Sequence, residues 1–248
     1  MRKGLFALLI LFSASFAVDL SGTVSRGGFS GFPNLPGGEI LHRDRFRLQT
    51  GLEYIEGRGS SRDLFLLPLN CTYGLGDNLE LGGEVPLYLD DGSEDGQLLG
   101  DMTVGCGWLY ETARGGSMLV LHGFLRLPTG SEGRDRGTEL GAGLSTSTTF
   151  RLFRLQAAVF YVLGGGYHPF ENRIVDRGEF SAGGSSYITR NFRIAAGMDG
   201  STAGELGLSC TGMYYMMERF CLLGTARIGL DGAESYSVSL GVSWTGGS

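Results

Sequence analysis

Three histidines are all the imidazole this chain of 248 residues has to offer, so any acid–base chemistry through that group must run at His42, His122 or His168. A hydrolase working at a membrane surface needs a serine and a histidine at the lipid-facing outer rim, with a third group orienting the base. His42 precedes the regular part of the chain, and His168 falls in a Gly-rich stretch read as a loop. His122 sits mid-run in S-M-L-V-L-H-G-F-L-R-L, on the side away from the leucines. None has the required setting, and the chain reads as a non-enzyme. Asp90, Asp91, Glu94 and Asp95 in D-D-G-S-E-D-G supply oxygens of the kind calcium prefers, but without the spacing of the helix–loop–helix calcium site. They read as a solvated acidic loop. The four cysteines Cys71, Cys106, Cys210 and Cys221 show no metal-type spacing, and no disulfide pairing is forced. They read as small apolar fillers, the first three on outward strand positions and Cys221 inward. Neither a metal nor a cofactor is expected.

The charged residues are more informative, because their positions alternate with apolar ones. Arg45, Arg47, Glu53, Glu80, Glu84 and Asp101 fall on the polar side of such alternations, as do His122, Arg126, Arg193 and Arg227. Together they are the candidate lining of a solute pathway. Gln156, Glu179 and Glu205 share the same phase. On a lipid-facing wall each charge near the membrane midplane would cost about 2–4 kcal/mol, which is why charges gather on one side. Arg45, Arg47 and Arg126 set against Glu80, Glu84 and Asp101 fit a selectivity constriction or a plug of salt bridges equally well.

The element that positions them is the strand. In L-E-L-G-G-E-V-P-L, Leu79, Leu81, Val85 and Leu87 lie on one side and Glu80, Gly82, Glu84 and Pro86 on the other, because successive side chains of a pleated strand point to opposite faces. The pattern recurs about twelve times from Arg45 onward, in runs of about ten residues that suit tilted membrane strands. The expected strands are Arg45–Tyr54, Asp63–Tyr73, Asn78–Tyr88, Gly100–Glu111, Ser117–Leu127 and Glu139–Phe150. Six more follow at Leu155–Gly164, Gly178–Ile188, Phe192–Met198, Glu205–Met216, Phe220–Leu230 and Glu234–Trp244. Tight connections such as Leu75–Asp77 and Glu218–Arg219 alternate with longer ones, Gly57–Arg62, Leu89–Leu99, Pro128–Thr138 and Gly165–Arg177. Short periplasmic turns and long external loops are the pattern of outer-membrane barrels. Tyr54, Tyr73, Tyr88, Tyr110, Phe150 and Trp244 at strand ends suit interfacial aromatic girdles. The expected fold is an all-β, transmembrane, antiparallel up-and-down barrel of about twelve strands. A soluble β-sandwich also alternates, but it usually keeps shorter strands.

The organisation divides into three parts. Residues 1–17 read as a cleaved signal peptide, with Arg2 and Lys3 ahead of an apolar run from Leu5 to Phe12, then small residues Ser15 and Ala17. That run is too short for a spanning helix, which takes roughly 20 apolar residues. Residues 18–44, with G-G-F-S-G-F-P-N-L-P-G-G, read as an irregular lead-in, a periplasmic arm or a small plug. Residues 45–248 are the barrel. Lys3 is the sole lysine, and removing Arg2 and Lys3 takes the formal charge from −6 to −8, which argues against nucleic acid. The expected compartment is the bacterial outer membrane. The expected partners are its lipid and lipopolysaccharide, a small solute and the barrel-assembly machinery, with the protein a monomer.

T-Y-G-L-G-D-N-L-E-L-G-G-E-V-P-L-Y (Thr72–Tyr88), then Gly100-Asp101 opening a strand and L-R-L-P-T-G (Leu125–Gly130) closing one, resembles the phenol-degradation MetA-pathway family of outer-membrane proteins. The family order is a tyrosine–glycine turn, an "rlelg–vP" strand, an acidic loop, a G-D strand and an "lPtG" motif. The resemblance covers Arg45–Ser147. It implies an outer-membrane channel, with some relatives associated with uptake of aromatic or other hydrophobic compounds, and it brings no catalytic residues. The chain departs from the usual aromatic last residue, since Thr245–Ser248 follow Trp244. Two functions stand against each other: a passive channel whose inward Arg and Glu side chains set charge preference, and a non-transporting surface barrel with a filled lumen. A gap between strands near the outer rim would point to lateral release of a hydrophobic solute.

Overall fold

The computed structural model describes residues 40–58, 63–90, 99–111, 117–130, 138–150, 153–164, 176–232 and 234–247, with the backbone of three short strands before them. Those three, β1 (Thr23–Val24), β2 (Ser30–Phe32) and β3 (Leu35–Pro36), pair as a small antiparallel sheet. Residues 1–17 lie outside the described part, as does most of each long loop named above, with His168 and the acidic run.

Everything from Arg45 closes into one barrel. Its strands are β4 (Arg45–Gly57), β5 (Leu64–Gly74), β6 (Leu79–Asp90), β7 (Met102–Glu111), β8 (Ser117–Leu127) and β9 (Glu139–Phe150). The second half is β10 (Phe153–Leu163), β11 (Asp176–Thr189), β12 (Phe192–Ser201), β13 (Leu206–Met217), β14 (Phe220–Asp231) and β15 (Glu234–Gly247). Each strand pairs antiparallel with its neighbours in sequence. β15 returns to β4 over a ladder from Glu234↔Gly57 to Gly247↔Arg45. Among the described residues no helix is long and apolar enough to cross a membrane. Closure matters because a bilayer offers no water to satisfy an open strand edge.

Alternation sorts the side chains. Leu48, Leu52, Leu144, Leu155, Val159, Leu208 and Leu240 stand on the outside, Leu240 with 69 % of its surface exposed. Inward positions on the same strands hold Arg47, Ser145, Gln156 and Thr211, all buried. Aromatic contacts brace both rims, with Phe46 edge-on to Trp244 at 5.0 Å and Tyr54 against Phe65 at 4.8 Å. Cys71, Cys106 and Cys210 are exposed and Cys221 is buried, all as free thiols.

Three positions differ from expectation. Tyr88, assigned to a girdle, is buried and turned inward, because Leu87 holds the outward phase beside it. Glu205, assigned to a strand, lies in the tight connection before β13, where its carbonyl accepts from the Ser201 amide. The strand expected from Gly100 begins at Met102, since Leu87 bridges Leu99 one residue out of the Leu79–Glu84 register. The ends also differ from a strict alternation of loop length: β12–β13 and β14–β15 meet in tight connections on the side where the other four loops are long.

The outward apolar belt makes two outcomes measurable. Leu240→Arg, on the outer wall, should lower unfolding free energy in lipid vesicles by about 2–4 kcal/mol if it sits near the midplane. A change under half of that would place β15 outside the hydrocarbon. A lipid-soluble maleimide should label Cys71, Cys106 and Cys210 in vesicles while a membrane-impermeant charged one does not; labelling by the charged reagent would contradict the lipid-facing assignment.

Candidate functional site

Three kinds of surface line the lumen. At the long-loop end, charges pair. Glu139, at the first position of β9, accepts from Arg126 on β8 and, at 2.9 Å, from Arg177 on β11, whose Nε also reaches Glu179 at 2.5 Å. On the adjoining arc Arg227 holds Asp199 in a two-point contact, Nη2 to Oδ2 at 2.7 Å and Nε to Oδ1 at 3.2 Å, and Glu234 at 2.7 Å. Gly207 makes this possible: a side chain there would run into the Arg227 guanidinium. Bidentate pairs of this kind are the stronger form of a charge-assisted hydrogen bond.

Mid-lumen, Glu80, Gly107 and His122 stand side by side on three successive strands, with Ser145 diagonal to His122 on the fourth, two residues from its direct partner Gly143. His122 Nε2 and Ser145 Oγ are 2.6 Å apart. Gly107 lets Glu80 and His122 lean together, since a Cβ on it would sit 3.3 Å from Glu80 Oε1 and 3.4 Å from His122 Nδ1. The series serine–histidine–carboxylate has the composition of a hydrolytic triad. Its setting is wrong for one: it faces the lumen, not lipid, and Ser145 and Glu80 are 1 % and 0 % exposed. The backbone around Ser145 is committed to the β8 and β10 ladders, which leaves no pair of amides aimed at an oxyanion. The array is a polar brace. Beside it Phe160 stacks near His122 at 5.5 Å and near Phe124 at 6.2 Å.

The short-turn end carries arginines. Arg47 donates to Thr245 Oγ1 at 3.2 Å, Arg154 to Ser147 Oγ at 2.9 Å and Arg193 to Ser185 Oγ at 2.8 Å. Arg193 also lies 5.0 Å over the Tyr187 ring. Between Arg193 and Arg47 the wall is apolar over β12 to β14, formed by Ala195, Met213, Tyr215, Cys221 and Leu223, and polar at Ser243 on β15. A second apolar cluster, Ile55, Leu64, Leu66 and Tyr88, lies inside β4–β6 toward the long-loop end.

The segment before β4 is bound to the inner wall. The Leu41 amide donates to the buried Glu80 Oε2 at 2.8 Å, and the Asp44 amide to the Gly74 carbonyl at 2.9 Å. The carbonyls of Leu41 and His42 occupy the space a Gly74 side chain would need. Further back, β1 has Cα atoms within 8 Å of β4 and β5, while β3 has them within 8 Å of β10 and β11. β4 and β10 stand on opposite sides of the ring, so the N-terminal sheet reaches from one wall to the other.

One stretch of wall is weakly laddered. Among the described residues β6 pairs with β7 from Leu79↔Trp108 to Glu84↔Thr103, and beyond that only through the Gly100 amide on the Pro86 carbonyl at 2.9 Å and the Leu87↔Leu99 bridge. Pro68 faces Pro86 across β5–β6, and neither has an amide to give. The β4–β5 ladder passes from Thr50↔Leu69 to Glu53↔Leu66 without Gly51 or Leu52. Past the short seam, Thr129 Oγ1 accepts from the Met102 amide at 2.8 Å and Asp101 Oδ1 from the Gly130 amide at 2.9 Å. The G-D and L-P-T-G motifs are thus two halves of one joint.

The structure places Arg45, Arg47, Glu53, Glu80, Glu84, Asp101, His122, Arg126, Arg193 and Arg227 around the lumen, but not as one constriction. Arg126 and Arg227 belong to separate clusters at the long-loop end, Arg47 and Arg193 to the other end, and Asp101 to the loop joint. Glu139, Arg154, Arg177, Asp199 and Glu234 were missed. Arg154, Arg177 and Asp199 lie at strand ends that pattern reading cut short by one or two residues; Glu139 and Glu234 open strands in the correct phase and were legible. Among the described residues no three metal-ligating side chains gather.

No protein-family model matches the chain, and no curated protein matches it in sequence. Solved structures do share its fold. An outer membrane channel from Pseudomonas putida F1 aligns over 84 % of this chain and 97 % of its own, with TM-score 0.67 and 12 % identity. The KdgM porin in complex with disordered oligogalacturonate aligns over 80 % and 98 %, with TM-score 0.60 and 8 % identity. The NanC porin aligns over 80 % and 98 %, with TM-score 0.59 and 10 % identity. The fold is that of outer-membrane β-barrels.

Proposed function

We propose that the protein is a bacterial outer-membrane channel for a small hydrophobic or aromatic solute that passes through the wall as well as along the lumen. The observation that carries this reading is the short β6–β7 seam beside Pro68 and Pro86, backed on the lumen side by Ile55, Leu64, Leu66 and Tyr88. Each ladder bond absent from the wall lowers the cost of parting it, and the apolar cluster behind offers a leaving membrane solute a dry surface. Similarity of fold to channels supports the same reading, as does the resemblance of Thr72–Tyr88, Gly100-Asp101 and Leu125–Gly130 to the phenol-degradation family. Outer-membrane placement and export through residues 1–17 are part of it.

Several inward side chains, Val120, Val162 and Met213 among them, are 0 % exposed. A wide aqueous bore would leave them wetted. The N-terminal segment, fastened at Glu80 and Gly74 and reaching across the ring, acts in this proposal as a plug that bars hydrophilic solutes. A lumen filled in this way also suits the non-transporting surface barrel, and transport decides between them.

Cells lacking their own porins and expressing the protein should take up a neutral aromatic such as ethylbenzene faster than control cells, yet gain no permeability to a disaccharide. Permeation by the disaccharide would overturn the plugged lumen; equal uptake of ethylbenzene would leave the surface barrel. In a background with the native cysteines changed to alanine, a Val85→Cys/Met102→Cys crosslink across the seam should cut ethylbenzene uptake several-fold, reversibly on reduction. Gly74→Val, which displaces the Leu41–His42 backbone, should raise small-ion conductance in planar bilayers. Unchanged conductance would show that the segment does not limit the lumen.

A further inference from the structure

The wall beside the seam carries a register slip with a fastening of its own. The regular β6–β7 ladder ends at Glu84↔Thr103, and the next bridge is Leu87↔Leu99. Gly100, Asp101 and Met102 on one chain therefore face only Val85 and Pro86 on the other, which is a β-bulge. Pro86 has no amide to offer an in-line partner, and its carbonyl takes the Gly100 amide at 2.9 Å. A side chain at position 100 would run into the Tyr88 ring and Pro86, so glycine is what lets the bulge close on β6. On its other side the bulge is tied to the end of β8. That strand stops before Pro128, where the Thr129 amide turns back onto the Leu127 carbonyl at 2.8 Å. The turn presents the Thr129 hydroxyl, which accepts from the Met102 amide at 2.8 Å and donates to the Gly100 carbonyl at 3.4 Å. The buried Asp101 carboxylate accepts from the Gly130 amide at 2.9 Å.

We propose that Asp101 and Thr129 are positioning residues for passage through the wall: they clamp the bulge to β8, so that the barrel parts between β6 and β7 while the long-loop ends of β7 and β8 move as one body. The inference rests on the channel reading above. Parting a wall in hydrocarbon strands each amide and carbonyl whose partner stays behind. Toward β6, the hold on the bulge among the described residues is the Gly100 amide on Pro86 and the Leu87↔Leu99 bridge. Toward β8 it is the Thr129 hydroxyl, used both as acceptor and as donor, and the Asp101 carboxylate. Behind that clamp runs a full ladder from Met102↔Leu127 to Glu111↔Met118. A split on the β6 side therefore leaves the Met102 and Gly130 amides and the Asp101 carboxylate with their partners. A split on the β8 side would strand all three and open the ladder as well. The clamp thus decides which of the two joints gives way, and it puts the opening beside Tyr88 and the apolar cluster inside β4–β6.

The test is residue-resolved amide hydrogen exchange on the full mature chain in lipid nanodiscs, with no solute added. The Gly100 amide, bonded across the seam, should exchange about tenfold faster than the Met102 and Gly130 amides, bonded within the clamp. Thr129→Val removes the hydroxyl and should bring Met102 up to the rate of Gly100, while the amides from Val104 to Gly107 stay slow. Thr129→Ser keeps the hydroxyl and should keep Met102 slow. Asp101→Ala should speed Gly130 in the same way, and Asp101→Asn, which retains an acceptor oxygen, should not. Heat-modifiable gel mobility checks that each variant folds. Gly100 exchanging as slowly as Met102 and Gly130 in the unaltered protein overturns the clamp, because the wall then does not part at that joint. A rise along the whole of β7 in Thr129→Val overturns it too, since that is general loosening. Uptake assays separate this from the channel reading: ethylbenzene transport with Gly100 as protected as Met102 defeats the clamp alone, and fast exchange at Gly100 without ethylbenzene transport defeats the channel alone.

Discussion

The whole structure follows from one requirement: a backbone amide and carbonyl placed in hydrocarbon must find partners within the protein. Strands meet it only by closing on themselves, and here closure is made by the long β15–β4 ladder. Once the wall is closed, the two-residue period of the strand leaves each side chain one choice, lipid or lumen. Leu240 and Leu144 stand outside for the same reason that Ser239 and Ser145 stand inside. No helix and no separate core is needed, because lipid takes the apolar face that a soluble sheet would have to bury.

Against that rule, the departures are the features on which the proposed function rests. A strand pair that holds fewer hydrogen bonds than its neighbours is a local exception to full satisfaction, and among the described residues β6–β7 is the shortest ladder in the ring. Prolines at positions 68 and 86 extend the weakness to both edges of β5–β6. Inward apolar side chains are the second exception. A lumen meant only for water would carry hydroxyls throughout, as β15 does at Ser237, Ser239 and Ser243. Instead Leu64, Leu66, Tyr88, Phe124, Met213 and Leu223 break the polar lining in separate patches, the feature on which the proposed passage of an apolar solute rests. Gly107 and Gly207 show how closely the remaining polar groups are fitted, each giving up a side chain so that charged neighbours can lean over it.

Much of this was legible beforehand. Twelve strands, their phase, the inward turn of His122 and Cys221 and the outward turn of the other cysteines all follow from counting in twos. Asp199 and Arg177 escaped because the alternation is masked at strand ends, where glycines at 178 and 200 carry no polarity. Tyr88 was misplaced because an aromatic at a strand end satisfies the girdle pattern whichever way it points, and only the phase of Leu87 decides. The pairing of charges was not readable at all. Arg126 and Glu139 meet across β8–β9 rather than through any sequence spacing, and the contact of Leu41 with Glu80 joins two segments whose closeness only the closed ring creates. The G-D and L-P-T-G motifs were visible separately, but not as one hydrogen-bonded joint.

The central claim is that a hydrophobic solute meets this protein at the seam between β6 and β7 and then at the lumen behind it. A small photoactivatable aryl diazirine equilibrated with the protein in vesicles, followed by mass-spectrometric mapping of the labelled residues, tests it most directly. The account predicts adducts concentrated on Val85, Pro86, Tyr88, Met102 and Leu66, continuing inward to Phe124 and Phe160. Adducts spread evenly around the outer belt, at Leu155, Leu208 and Leu240 as much as at Val85, with none inside the lumen, would contradict it.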